Sequence, residues 1–142
     1  MALGLSGPAL PAATVNDCLD VLVGKIAAVP GIDGCYGYRV AETKLGVTVV
    51  VTSISSVLGD APTGLTSAYD YIVDTLVRID GDYETAERTL NDVCDGIWRA
   101  VWGASYPVWS DCYPFAADQK PASPQELTGW RRAILYVRVI PV

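Results

Sequence analysis

Acid-base and nucleophilic catalysis both need a proton carrier beside a nucleophile, and this chain has few residues that could serve. Histidine is absent, and lysine occurs only as Lys25, Lys44 and Lys120, one on an expected helix and two in expected turns or loops. The carboxylate pairs Asp17/Asp20 and Asp92/Asp95 stand three apart on helical segments, where a solvated face is their ordinary role. Asp80-Gly81-Asp82 has the opening of a calcium loop but lacks the further ligands and the distal glutamate, so it reads as a strand-to-helix turn. The cysteines Cys18, Cys35, Cys94 and Cys112 form no CxxC pair, and without histidine the usual Cys/His zinc site cannot be assembled. Cys18 and Cys94 fall on apolar helical stripes, and all four are read as reduced thiols. No phosphate-cradling glycine loop of Walker or dinucleotide type is present. The expectation is no catalytic residue, no cofactor and no metal: a self-assembling structural protein rather than an enzyme.

The 142 residues suit one domain, which would bury roughly two thirds of its unfolded surface. Hydrophobic residues make up 51% and charged residues 18%, below the roughly 25% charge of ordinary soluble domains. More apolar surface must be hidden than one small core easily holds, so part of it is expected between subunits. The net charge of −6 and the scattered Lys and Arg give no footprint for gripping nucleic acid. No apolar run approaches the roughly 18 residues of a membrane span, and Met1 to Ala13 lacks the pattern of a secretion signal. A soluble intracellular product without membrane partners is expected.

Residues 1–13 read as an N-terminal arm and 14–142 as a single α+β domain. Val15, Cys18, Leu19, Leu22, Val23 and Ile26 recur at helical spacing behind Thr14, a good N-cap, and Val29-Pro30-Gly31 ends that helix. Cys35 to Val40 and Gly46 to Val57 predict a two-strand hairpin, the second strand rich in β-branched residues. A loop marked by Gly59, Asp60, Pro62, Thr63 and Gly64 precedes a third strand from about Ala68 to Ile79, whose odd positions are apolar and whose even positions are mixed. Asp82 opens a second helix with Ala86, Leu90, Val93, Cys94, Ile97 and Val101 on its buried stripe, and Gly103 closes it. Residues 104–129 read as a long proline- and aromatic-rich insertion with no assigned structure. Arg131 to Val139 alternates as a last strand. The expected fold is a mainly antiparallel four-stranded sheet with two helices packed on one face.

The junction Val77-Arg78-Ile79-Asp80-Gly81-Asp82-Tyr83-Glu84-Thr85-Ala86-Glu87 resembles the strand-to-helix junction of tail terminator proteins of long-tailed bacteriophages. The N-terminal helix, the chain length and the final strand extend this resemblance over roughly residues 14–103 and 130–142. The apolar arm and the 104–129 segment depart from the family pattern. The resemblance implies a virion subunit that forms a homo-hexameric ring on the head-proximal end of the tail tube, stops tube growth and offers a docking surface to the head. Its implied partners are further copies of itself, the tail tube protein and a head-closure or neck protein, with DNA only in transit. Gly59, Asp60, Thr63 and Gly64 then become candidates for a loop facing the channel or tube, and Tyr106, Trp109, Tyr113 and Phe115 candidates for subunit or neck contacts. The alternatives are another ring of the neck, such as a head-closure or tail-completion subunit, and more distantly a small ligand-binding module using the 106–115 aromatics.

Overall fold

The computed structural model describes residues 13–38, 46–58, 66–121 and 129–142. In chain order the elements are α1 (Val15–Ala27), β1 (Gly34–Tyr36), β2 (Val47–Leu58), β3 (Thr66–Arg78), α2 (Tyr83–Val101), β4 (Trp109–Pro121) and β5 (Trp130–Pro141). The strands form one sheet in the order β1-β2-β3-β5-β4, antiparallel throughout except for β1, which runs parallel to β2. The fold is therefore α+β with a five-stranded mixed sheet, not the four-stranded one expected.

Two differences from the sequence reading have physical causes. The expected β1–β2 hairpin is a parallel pair because Asp33 holds the start of one strand against the start of the other. Its carboxylate accepts from the Val47 amide at 2.8 Å, and its own amide donates to the Val47 carbonyl at 3.0 Å. β1 is only three residues long, and the connecting residues 39–45 lie outside the described part. The second difference is β4, which occupies much of the 104–129 segment. Its prolines suggest a loop, yet a strand at a sheet edge needs no amide on its outer side, so proline is tolerated there. Pro114 sits at a register shift, where the ladder to β5 is already interrupted.

The helices begin where local chemistry places them. Thr14 and Asp17 form a reciprocal capping box, each side chain accepting from the other's amide, at 3.1 Å for Thr14 Oγ1 and 2.9 Å for Asp17 Oδ2. Asp82 caps α2 by accepting from the Glu84 amide and the Thr85 hydroxyl, and these bonds lower its pKa.

Cys18, Leu22 and Ile26 of α1 and Ala86, Leu90, Val93, Ile97 and Val101 of α2 share one core cluster with odd-numbered residues of the sheet: Val47, Val49 and Val51 of β2, Tyr69, Tyr71, Val73 and Val77 of β3, and Ala133, Val137 and Val139 of β5. Each aliphatic side chain fully buried in this way contributes about 1.5–3 kcal/mol. Two tyrosines of β3 fasten the start of α1: Tyr71 donates to the Val15 carbonyl at 2.7 Å and Tyr69 to the Ala13 carbonyl at 3.1 Å. Burial, the largest cause, pushes the pKa of both phenols up.

Candidate functional site

The strand ladder fixes what lies on each side of the sheet. Tyr69, Tyr71, Val73, Thr75 and Val77 face the core, so their alternates Asp70, Ile72, Asp74 and Leu76 face the other way, opposite Arg138, Tyr136, Ile134 and Arg132 of β5. This second face is half-buried and mixed in chemistry. Two ion pairs cross it. Arg138 meets Asp70 with both donors, Nε at 2.8 Å and Nη2 at 2.9 Å, and Arg132 meets Asp74 at 3.0 and 2.7 Å. Asp70 is only 5% exposed, so its carboxylate depends on this fork for what water would otherwise supply. The hydrogen bond to Asp70 is the main cause that raises the Arg138 pKa, and the guanidinium also lies 4.9 Å from the Phe115 ring centroid.

The aromatics expected to form contacts do not converge on one site. Tyr106 is 74% exposed beside a cis peptide bond to Pro107. Trp109 is fully buried; its indole N–H donates to the Gly103 carbonyl at 2.8 Å, and the Lys25 ammonium lies 5.8 Å from its ring centroid. It is a core residue of its own chain, in one cluster with the buried residues of both helices. Tyr113 pairs in register with Arg138, and Phe115 rests against Tyr136 at 6.1 Å between ring centroids, so both belong to the second face. Trp102, 51% exposed at the end of α2, reaches Tyr113 at 6.4 Å. The loop candidates Gly59, Asp60, Thr63 and Gly64 lie outside the described residues. The sequence reading did not single out the ion pairs, although Asp70, Asp74, Arg132 and Arg138 stood at alternate positions of two strands; which strands are neighbours was the missing information.

A cavity of about 130 Å³ opens between α2 and the sheet, lined by Cys94, Trp98, Ala117, Ala133 and Leu135 among others. Ligand pockets usually measure about 300–1,000 Å³, so this one is too small for most organic ligands. A wider, shallow groove of about 510 Å³ runs between α1 and the Pro107-Val108 turn, with Asp17 already engaged in capping. The four cysteines are free thiols, and burial pushes them up, Cys18, Cys35 and Cys94 to about 11 and Cys112 to about 12. They are thus poor nucleophiles at neutral pH. Among the described residues no group of three His, Cys, Asp or Glu side chains could hold a metal, and no helix is long and apolar enough to cross a membrane.

What these features define is an α+β domain whose second sheet face, among the described residues, carries no helix and is bordered by aromatic side chains of β4. The fold is shared with a solved chain described as part of the virion of a native gene transfer agent particle: the TM-score is 0.51 at 16% identity, over 85% of this chain and 84% of that one. At that identity the likeness is one of fold. No family model and no curated protein sequence matches the chain.

Proposed function

We propose that this chain is a structural subunit of a phage-like virion, and within it a tail terminator: a ring subunit that caps the head-proximal end of the tail tube, ends its growth and receives the head. The observation that carries the reading is the fold shared over most of both chains with a component of a gene transfer agent virion. The particular role rests on the resemblance of residues 77–87 to terminator junctions. Residues 14–142 act as one domain, with both helices on the odd-numbered face of the sheet and the second face left for neighbours. The partners are further copies in a hexamer, the tube protein and a neck protein, and the protein resides in the virion.

Surface chemistry supports an assembly role. Trp98, Trp102, Tyr106 and Phe115 are each at least 40% exposed, and large aromatics are what protein interfaces favour over ordinary surface. Tyr106, Tyr113 and Phe115 remain contact candidates, whereas burial removes Trp109 from that set. Gly59, Asp60, Thr63 and Gly64 stay candidates for a segment facing the channel or tube. Six copies of a −6 chain carry −36, which repels a DNA backbone in transit instead of holding it.

Negative-stain microscopy of the purified protein with tail tube protein tests the reading. Six-fold rings, or caps on one end of tubes, are expected, and deletion of the gene should yield tails of uncontrolled length. Normal-length tails without heads would instead assign the chain to head closure. Tubes that never acquire a cap would overturn the terminator role.

A further inference from the structure

Among the described residues, each edge of the sheet keeps a stretch of unpaired backbone. On β2, Asp33 and β1 occupy the outer edge at Val47 and residues 48–50, which leaves 51–58. On β4, the Gly103 amide donates to the Cys112 carbonyl, the Asp111 carboxylate accepts from the Cys112 amide, and Ser105 bridges to Trp109, which leaves 113–121. The two free stretches are nearly equal in length.

Their directions match. β2, β3, β5 and β4 alternate in direction across the sheet, so the next strand that continues the alternation beyond β4 is a β2. Their hydrogen-bonding parity matches as well. The Val47 amide and carbonyl both point outward to Asp33, so by the alternation of an antiparallel ladder those of Val51 and Ser53 do too. The Cys112 carbonyl points outward, and beyond the shift at Pro114 the same alternation turns Ala117 and Gln119 outward. Val51, Ser53 and Ala117 lie on the core-facing side of their strands, so pairing these positions keeps the cores of two subunits on one side of a continuous sheet.

The obstructions also clear each other. β1 blocks β2 near its start and residues 103–105 block β4 near its start, and these starts lie at opposite ends of the sheet. A stagger of about four residues sets both free stretches side by side with neither block in the way, an even shift that preserves the faces.

The geometry assigns the outer edge of β4, residues 113–121, to antiparallel pairing with residues 51–58 of β2 in a second copy of this chain. This inference rests on the self-assembly part of the reading above. The contact is head-to-tail, so it uses two different surfaces on every subunit and propagates until a ring closes. Pro114 withholds an amide at the beginning of the free β4 stretch and limits pairing to the part beyond it.

Cysteine cross-linking tests the pairing. Thr52→Cys is combined in turn with Ala116→Cys, Asp118→Cys and Lys120→Cys, whose register partners on the neighbouring strand are even-numbered like that of Thr52, and with Ala117→Cys at an alternate position as control. The native thiols react slowly near pH 8, being pushed up to about 11 or 12. One of the three pairs should give a reducible ladder that ends in a closed ring, and its identity reads the stagger. In the unmodified protein, the outward amides of Val51, Ser53, Ala117 and Gln119 should exchange more slowly as assembly proceeds. Assembled protein whose three pairs cross-link no better than the control overturns the pairing. So does a chain that stays monomeric near ~1 mM with those amides unprotected, since even a millimolar contact would show there. Protection gained only on adding another virion protein transfers the edge to that partner. A cross-linked ring that fails to cap tubes sinks the terminator role and leaves the pairing intact, and a tube cap without cross-links does the reverse.

Discussion

At Asp70 and Arg138 the fold commits a nearly dry carboxylate to a guanidinium fork. Removing one member of such a pair costs more than removing both, because the survivor keeps its desolvation cost without the compensating bonds. Arg138→Ala should lower stability by about 2–3 kcal/mol, a figure reduced from that of a fully buried pair because the Arg138 side chain is 32% exposed. Asp70→Leu with Arg138→Met should return to within about 1 kcal/mol of the parent. Urea unfolding of the three proteins gives the comparison, and a loss below about 0.5 kcal/mol for Arg138→Ala would mean that water screens the pair after all. At this scale the sequence was readable where a residue acts on its own neighbourhood: Thr14 and Asp82 announced their helix starts, and both cap as expected. It was unreadable where meaning depends on a distant strand. Trp109 read as a contact residue because it stands among the aromatics Tyr106, Tyr113 and Phe115, yet it belongs to the core cluster, its indole held by Gly103.

Elements were legible to the degree that their periodicity was long. The 13-residue α1, the 19-residue α2, β3 and β5 each carry a stripe that local pattern reveals. β1 was expected at Cys35 to Val40 and is found at Gly34–Tyr36, too short for its pattern to tell the parallel pairing from a hairpin, and β4 hides behind two prolines and two register shifts. How α1 and α2 meet was also invisible from sequence, and it turns on Gly96. A glycine inside a helix costs about 1 kcal/mol relative to alanine, and here the missing methyl makes room for Val29, the buried residue that follows α1. A Cβ on Gly96 would stand 2.6 Å from Val29 Cγ1, well inside contact distance. Gly96→Ala should therefore destabilise by about 1–2 kcal/mol despite its better helix propensity, because the overlap outweighs the gain. Val29→Ala in the same chain should recover much of that loss, and a double-mutant cycle by thermal unfolding measures the coupling. Additive effects would show that Val29 shifts aside freely and that the close approach of the helices does not depend on the glycine.

For the molecule as a whole, charge and apolar surface pull assembly in opposite directions. In the proposed ring each copy brings a net −6, so gathering copies builds up like charge, while the exposed Trp102, Tyr106 and Phe115 and the strand edges left open among the described residues favour association. The repulsion acts through solvent over distances comparable to the Debye length, about 10 Å at 0.1 M salt, and is screened accordingly. Backbone pairing and aromatic burial respond weakly to salt over the same range. If these contacts hold the ring, assembly should strengthen as sodium chloride rises from about 0.02 to 0.3 M, seen as a growing weight-average mass in sedimentation equilibrium. If instead the subunits are joined by ion pairs across their surfaces, salt should weaken the assembly. The ion pairs that the fold does show across its second face, Asp70–Arg138 and Asp74–Arg132, are closed within one chain. That closure leaves those four charges little to offer a neighbour, and it is why the first outcome, mass rising with salt, is the one expected.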